Sequence, residues 1–95
     1  GAPQAHVTET IDVRVGQEFE LVLATSPRPA HLWRSAVSSP GVAMVSESFA
    51  ADQPPRHVAR LAARTPGDVE VRFTYGTPWD ATPVETRSFL VRVQP

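Results

Sequence analysis

Apolar and polar residues alternate with period two in run after run of this chain, and that pattern restricts its possible folds more than any other feature. Ile11, Val13 and Val15 alternate with Asp12 and Arg14, and Gly16-Gln17 then turns the chain. Phe19, Leu21 and Leu23 follow, with Glu18 and Glu20 between them. Trp33 and Val37 mark a third run, and Val42, Met44 and Val45 a short fourth that ends before Ser46-Glu47-Ser48. Ala59, Leu61 and Ala63 alternate with Arg60 and Arg64; Val69, Val71, Phe73 and Tyr75 alternate with Glu70, Arg72 and Thr74; Phe89, Val91 and Val93 alternate with Leu90 and Arg92. Successive side chains of a strand point to opposite faces, so each run reads as a strand with one buried face.

The ten prolines support this division. Pro27, Pro29, Pro40, Pro54, Pro55, Pro66, Pro78 and Pro83 fall between the runs, and Pro3 and Pro95 fall at the ends. A proline inside a strand would remove a ladder donor, and none interrupts an alternating run. Pro66-Gly67 suits a turn, with the glycine taking a positive φ. The segment 59–64 has good helix propensity but is short and uncapped, so it is predicted to be a strand. Seven to eight strands in 95 residues predict an all-β, immunoglobulin-like antiparallel sandwich in a single domain spanning 1–95, with 1–6 a flexible or vector-derived start. The predicted core is Ile11, Val13, Phe19, Leu21, Leu23, Trp33, Leu61, Val71, Phe73, Phe89 and Val91.

Charge and composition narrow the function. A net charge of -1 gives no reason to expect nucleic acid or an anionic membrane as partner. All nine basic residues are arginine, which reads as the compositional bias of a GC-rich genome, and they form no basic stripe. Glu18, Glu20, Glu70, Glu85, Arg60, Arg64 and Arg72 read as solvated sheet faces. The absence of cysteine removes disulfides and thiolate-bound zinc. No apolar run approaches the ~20 residues of a membrane-spanning helix. His6, His31 and His57 lack local ligand spacing and read as surface histidines, although His31 and His57 both flank loops that should cluster. No metal or other cofactor is expected. Serine, histidine and aspartate are present, but no Gly-x-Ser-x-Gly elbow is, and no enzyme activity is expected.

What remains is the loops. In a sandwich of this strand order, the connections 25–31, 50–57 and 76–84 should emerge at one end. All three are rich in proline, and a stiff loop loses less conformational entropy on binding. Trp79 stands in the third, outside any alternating run, either as an exposed binding anchor or folded back as a cap on the core.

Several segments in these positions resemble the chagasin-type inhibitors of papain-like cysteine peptidases, immunoglobulin-like sandwiches of protozoa and bacteria. The resemblance runs from about Thr10 to Val93. Val15-Gly16-Gln17-Glu18-Phe19-Glu20-Leu21 is similar to the start of the family's second strand, and Arg87-Ser88-Phe89-Leu90-Val91-Arg92-Val93 to its closing strand. Ser26-Pro27-Arg28-Pro29-Ala30-His31-Leu32-Trp33 stands in the place of its Asn-Pro-Thr-Thr-Gly-aromatic loop and following Trp. Phe73-Thr74-Tyr75-Gly76-Thr77-Pro78-Trp79 looks like its sixth strand and Arg-Pro-Trp loop.

The resemblance implies non-covalent inhibition by three loops wedged into the peptidase cleft, with Pro27 a rigid tip, Trp33 a support beneath it and Trp79 against the peptidase surface. The implied contact residues are Ser26, Pro27, Arg28, Pro29, Ala30, His31, Pro54, Pro55, Thr77, Pro78 and Trp79. It also implies a monomer from a bacterium, secreted or held in the cell envelope, with its signal segment outside this stretch. The chain departs from the family at the loops themselves. Ser26 replaces Asn, Arg28-Pro29 replaces Thr-Thr, Ala30 replaces Gly, His31 replaces the aromatic residue, Pro54-Pro55 replaces a glycine pair and Thr77 replaces Arg. The lost glycine pair and the altered first loop favour the competing expectation, an accessory immunoglobulin-like domain that binds another protein or packs within a larger assembly, while the retained Pro78-Trp79 and the loop lengths favour the inhibitor.

Overall fold

The computed structural model describes residues 6–52 and 54–95. Seven strands occur among them: β1 (His6–Arg14), β2 (Glu18–Ala24), β3 (Leu32–Val37), β4 (Val42–Ala50), β5 (Arg56–Ala63), β6 (Gly67–Gly76) and β7 (Glu85–Gln94). They form two sheets, one ordered β1-β7-β6-β3 and the other β2-β5-β4. The all-β, immunoglobulin-like expectation holds, with one pairing of opposite sense: β1 lies parallel to β7, in register from His6↔Thr86 to Arg14↔Gln94. His6, placed in the expected flexible start, is thus the first residue of a strand, and residues 1–5 lie outside the described residues.

The alternation works as the periodicity requires. In β6, Val69, Val71, Phe73 and Tyr75 are buried while Glu70 and Arg72 are exposed. In β5, His57, Ala59, Leu61 and Ala63 are buried. This strand has helix-forming residues, yet it is central to its sheet and hydrogen-bonded on both sides, to β2 and β4. Two ladders and an alternating buried face outweigh local helix propensity. Eight of the eleven predicted core residues are buried, and Ile11, Phe19 and Trp33 are half-buried against them. Val42, Ala59, Ala63, Val69 and Val93 complete the apolar core.

Two boundaries differ from expectation. Val15 belongs to a turn and is half-exposed, because the chain must leave one sheet for the other there: Val15 N–H donates to Gln94 of β7 and Gly16 N–H to Ala63 of β5. Gly16 takes φ +87° in that turn, a conformation glycine tolerates. The fourth strand does not stop before Ser46-Glu47-Ser48 but continues through them to Ala50. A register shift between Met44 and Ser46 inserts an extra residue, so Glu47 and Phe49 pair with the inward-facing Ala59 and His57. A polar run ends a strand only when both faces need burial, and β4 is an edge strand.

Candidate functional site

The strand registers bring the three proline-rich connections to one rim. Ala24 at the end of β2 and Ala50 at the end of β4 both pair with Arg56 at the start of β5. In the facing sheet Leu32 at the start of β3 pairs with Gly76, and Tyr75 pairs with Glu85 at the start of β7. Segments 25–31, 51–55 and 77–84 therefore leave the sandwich at the same end. Thr25 N–H donates to the Pro55 carbonyl (3.2 Å), joining the first connection to the second, and Val84 N–H donates to the Tyr75 carbonyl (2.8 Å), closing the base of the third.

The first connection is held from below by aromatic side chains. The Tyr75 hydroxyl donates to the Ser26 carbonyl (3.2 Å) and accepts from Arg28 N–H (3.1 Å). Trp33 Nε1–H donates to Thr25 Oγ1 (3.2 Å). The Tyr75 ring lies between those of Trp33 and His31, with centroids 5.0 and 5.4 Å away. Above them the chain reverses: His31 N–H donates to the Arg28 carbonyl (3.2 Å), with Pro29 and Ala30 as the central pair. Proline fixes the first central φ near -65°, and Ala30 has φ +63°. This is the type II pattern, which favours glycine at the position Ala30 occupies. Because a carbonyl only accepts, the 2.8 Å contact from His31 Nδ1 to the Pro29 carbonyl places a proton on Nδ1. Ser26, Pro27, Arg28, Pro29 and Ala30 are exposed along this arch, and His31 is half-buried.

The third connection turns over Thr77-Pro78-Trp79-Asp80. Thr77 Oγ1 donates to Asp80 Oδ2 (2.7 Å), and Asp80 N–H points to the Thr77 carbonyl (3.4 Å). Thr77 itself is buried, so it shapes the turn from inside. Pro78 and Trp79 form the outer corner, where Trp79 is 72% exposed, the most exposed large apolar side chain among the described residues. Trp79 does not cap the core. In the second connection Pro54 is exposed and Pro55 half-buried, and Asp52 lies 3.8 Å from Arg56.

Sequence reasoning missed what supports this rim. His57, expected at the surface, is buried on the inner face of β5. Its Nε2 lies 2.8 Å from Glu47 Oε1, and Ser35 Oγ donates to the other carboxylate oxygen at 2.9 Å. The carboxylate, not the imidazole, occupies the middle of this chain, so Ser35 donates to Glu47 and not to His57. His31 and His57 both border a groove of about 280 Å³ with Trp33, Phe49 and Tyr75, but each ring nitrogen contact is to its own partner. No group of three metal-ligating side chains occurs among the described residues. Tyr75 was visible only as the last apolar residue of its run. The available signal was its hydroxyl, which needs a partner once the ring is buried next to a loop.

The described residues define a class, the two-layer β-sandwich module that presents a rim of proline-rich loops and an exposed tryptophan. Family-level comparison identifies which one: residues 12–93 match the chagasin family of peptidase inhibitors, and the chain belongs to that family. No curated protein matches it in sequence. Among solved structures, a cysteine protease inhibitor from Entamoeba histolytica superposes with a TM-score of 0.77 at 16% identity, over 94% of this chain and 93% of the other. The solution structure of amebosin aligns with a TM-score of 0.59 at 19% identity, over 98% of this chain and 100% of its own. Both share the fold.

Proposed function

We propose that this protein inhibits papain-like cysteine peptidases by seating its three-loop rim in the active-site cleft, without forming a covalent bond. The observation that carries the reading is Trp79, held in the open on a turn braced by Thr77 and Asp80, in a chain of the chagasin family. An apolar side chain of that size gains most when a partner covers it. The first arch is already fixed by two prolines and by Tyr75, so little entropy remains to be lost when it is occluded. Ser26, Pro27, Arg28, Pro29, Ala30, His31, Pro54, Pro55, Pro78 and Trp79 form the contact surface, and Thr77 acts from beneath it. Occlusion alone accounts for inhibition, and no side chain of the rim is asked to do chemistry.

The test is an inhibition assay with papain and several other papain-like peptidases, comparing the protein with Trp79→Ala. Loss of a central anchor weakens binding by about 30-fold or more, since such residues contribute ~2 kcal/mol or above. The melting temperature stays nearly unchanged. Absence of inhibition of every papain-like enzyme by the unaltered protein would move the assignment to a non-inhibitory, protein-binding immunoglobulin-like domain.

A further inference from the structure

We infer that Tyr75 is a positioning residue for partner binding: its hydroxyl clamps the first arch in its bound shape, although the side chain is buried and does not itself meet the partner. The inference rests on the reading of the rim as a peptidase-binding surface. It starts from the donors available. Pro27 and Pro29 have no N–H, so across residues 27–29 the backbone offers a single donor, that of Arg28. That N–H is spent on the Tyr75 hydroxyl at 3.1 Å, and the hydroxyl's own hydrogen goes to the Ser26 carbonyl at 3.2 Å. One atom therefore ties two points of the arch on either side of Pro27. The same residue accepts Val84 N–H at its carbonyl, so the base of the third connection hangs from the strand position that clamps the first.

The clamp fixes the backbone that carries a charge. Arg28 is the only arginine in segments 25–31, 51–55 and 77–84, and the chain has no lysine. Its guanidinium makes no ion pair among the described residues, whereas Asp52 pairs with Arg56 and Asp80 accepts from Thr77. Both rim carboxylates are thus engaged internally. The one rim guanidinium is left for a partner, on a backbone held by Tyr75 and by prolines on both sides.

Tyr75→Phe removes the hydroxyl and keeps the ring that packs, tilted, against Trp33 and His31. Three measurements on the whole protein test the inference: amide exchange, melting temperature and inhibition of papain. The expected result is faster exchange of the Arg28 amide with β3 and β6 amides unchanged, and papain inhibition weakened by about tenfold, the scale of one or two lost hydrogen bonds. Val71→Ala is the control for general destabilisation, since Val71 is fully buried in the same strand away from the rim. It lowers the melting temperature at least as far while leaving inhibition within about twofold at a temperature where it is folded. In a Trp79→Ala background the Tyr75→Phe effect persists in full, because the two act through different loops. Unchanged papain inhibition by Tyr75→Phe, or equal weakening by Val71→Ala, overturns the positioning role and leaves the inhibitor assignment standing. Failure of the unaltered protein to inhibit papain-like enzymes removes both.

Discussion

Ala30 holds a left-handed backbone conformation, φ +63°, that L residues with a Cβ adopt at a cost of about 1–2 kcal/mol. Glycine would relieve that cost but raise the entropy of the unfolded chain by about 0.4–1 kcal/mol. Ala30→Gly is therefore expected to stabilise the domain by about 0.5 kcal/mol, and Ala30→Val to destabilise it by more than that because a branched Cβ crowds the same turn. Urea denaturation midpoints moving in opposite directions for the two variants check this. A second residue-scale prediction concerns Glu47, which satisfies both Ser35 and the buried His57. Glu47→Ala leaves an imidazole N–H without its partner and should cost ~1–3 kcal/mol, against ~1 kcal/mol or less for Ser35→Ala. Equal costs in denaturation experiments would show that His57 does not depend on the carboxylate.

At the scale of elements, β3 and β4 are each one edge of their sheet, and they meet through the Ser35–Glu47 contact. Glu47 is a charged residue pointing inward on an edge strand, a device that discourages pairing with other chains. The connection before β4 is equally constrained. Gly41 accepts hydrogen bonds from Arg64 and Thr65, and a Cβ there would come within 3.0 Å of Thr65 Oγ1 and 3.2 Å of Val69 Cγ2. Gly41→Ala should push the β3–β4 turn off the β5–β6 turn and cost ~1–3 kcal/mol, read as a lower urea midpoint with little change in slope. On the outer face of the β2–β5–β4 sheet, Arg60 lies 2.9 Å from Glu18 and 3.6 Å from Glu20, and its pKa is raised, chiefly by the hydrogen bond to Glu18. These groups are half-exposed, and exposed pairs of this kind add little to stability.

The whole molecule separates folding from binding, with the core between the sheets and the loop rim at one end of them. Phe73 is fully buried and packs edge-on against Phe89 and His57, so Phe73→Ala is expected to cost ~3–5 kcal/mol, a large share of a small domain's stability. Melting temperature and peptidase inhibition then fall together, in contrast to Trp79→Ala, where only inhibition falls. The strands, the face each buries and the exclusion of proline from them were legible in the residues because period-two patterning is a local property of each segment. Trp79 was legible as a loop residue for the same reason, though not whether it faced in or out. Other features depended on contacts between residues far apart in the chain. β1 runs parallel to β7, β4 continues past its polar stretch as a bulged edge, and His57 is buried over Glu47. The Tyr75 hydroxyl reaches a loop 47 residues back, a distance no window of neighbouring residues samples. The amino-acid pattern alone thus determined where the chain is extended and which side chains leave water. Only tertiary pairing decided which loop ends share a rim and what holds them rigid, because register and cross-sheet hydrogen bonds exist only once distant strands have met.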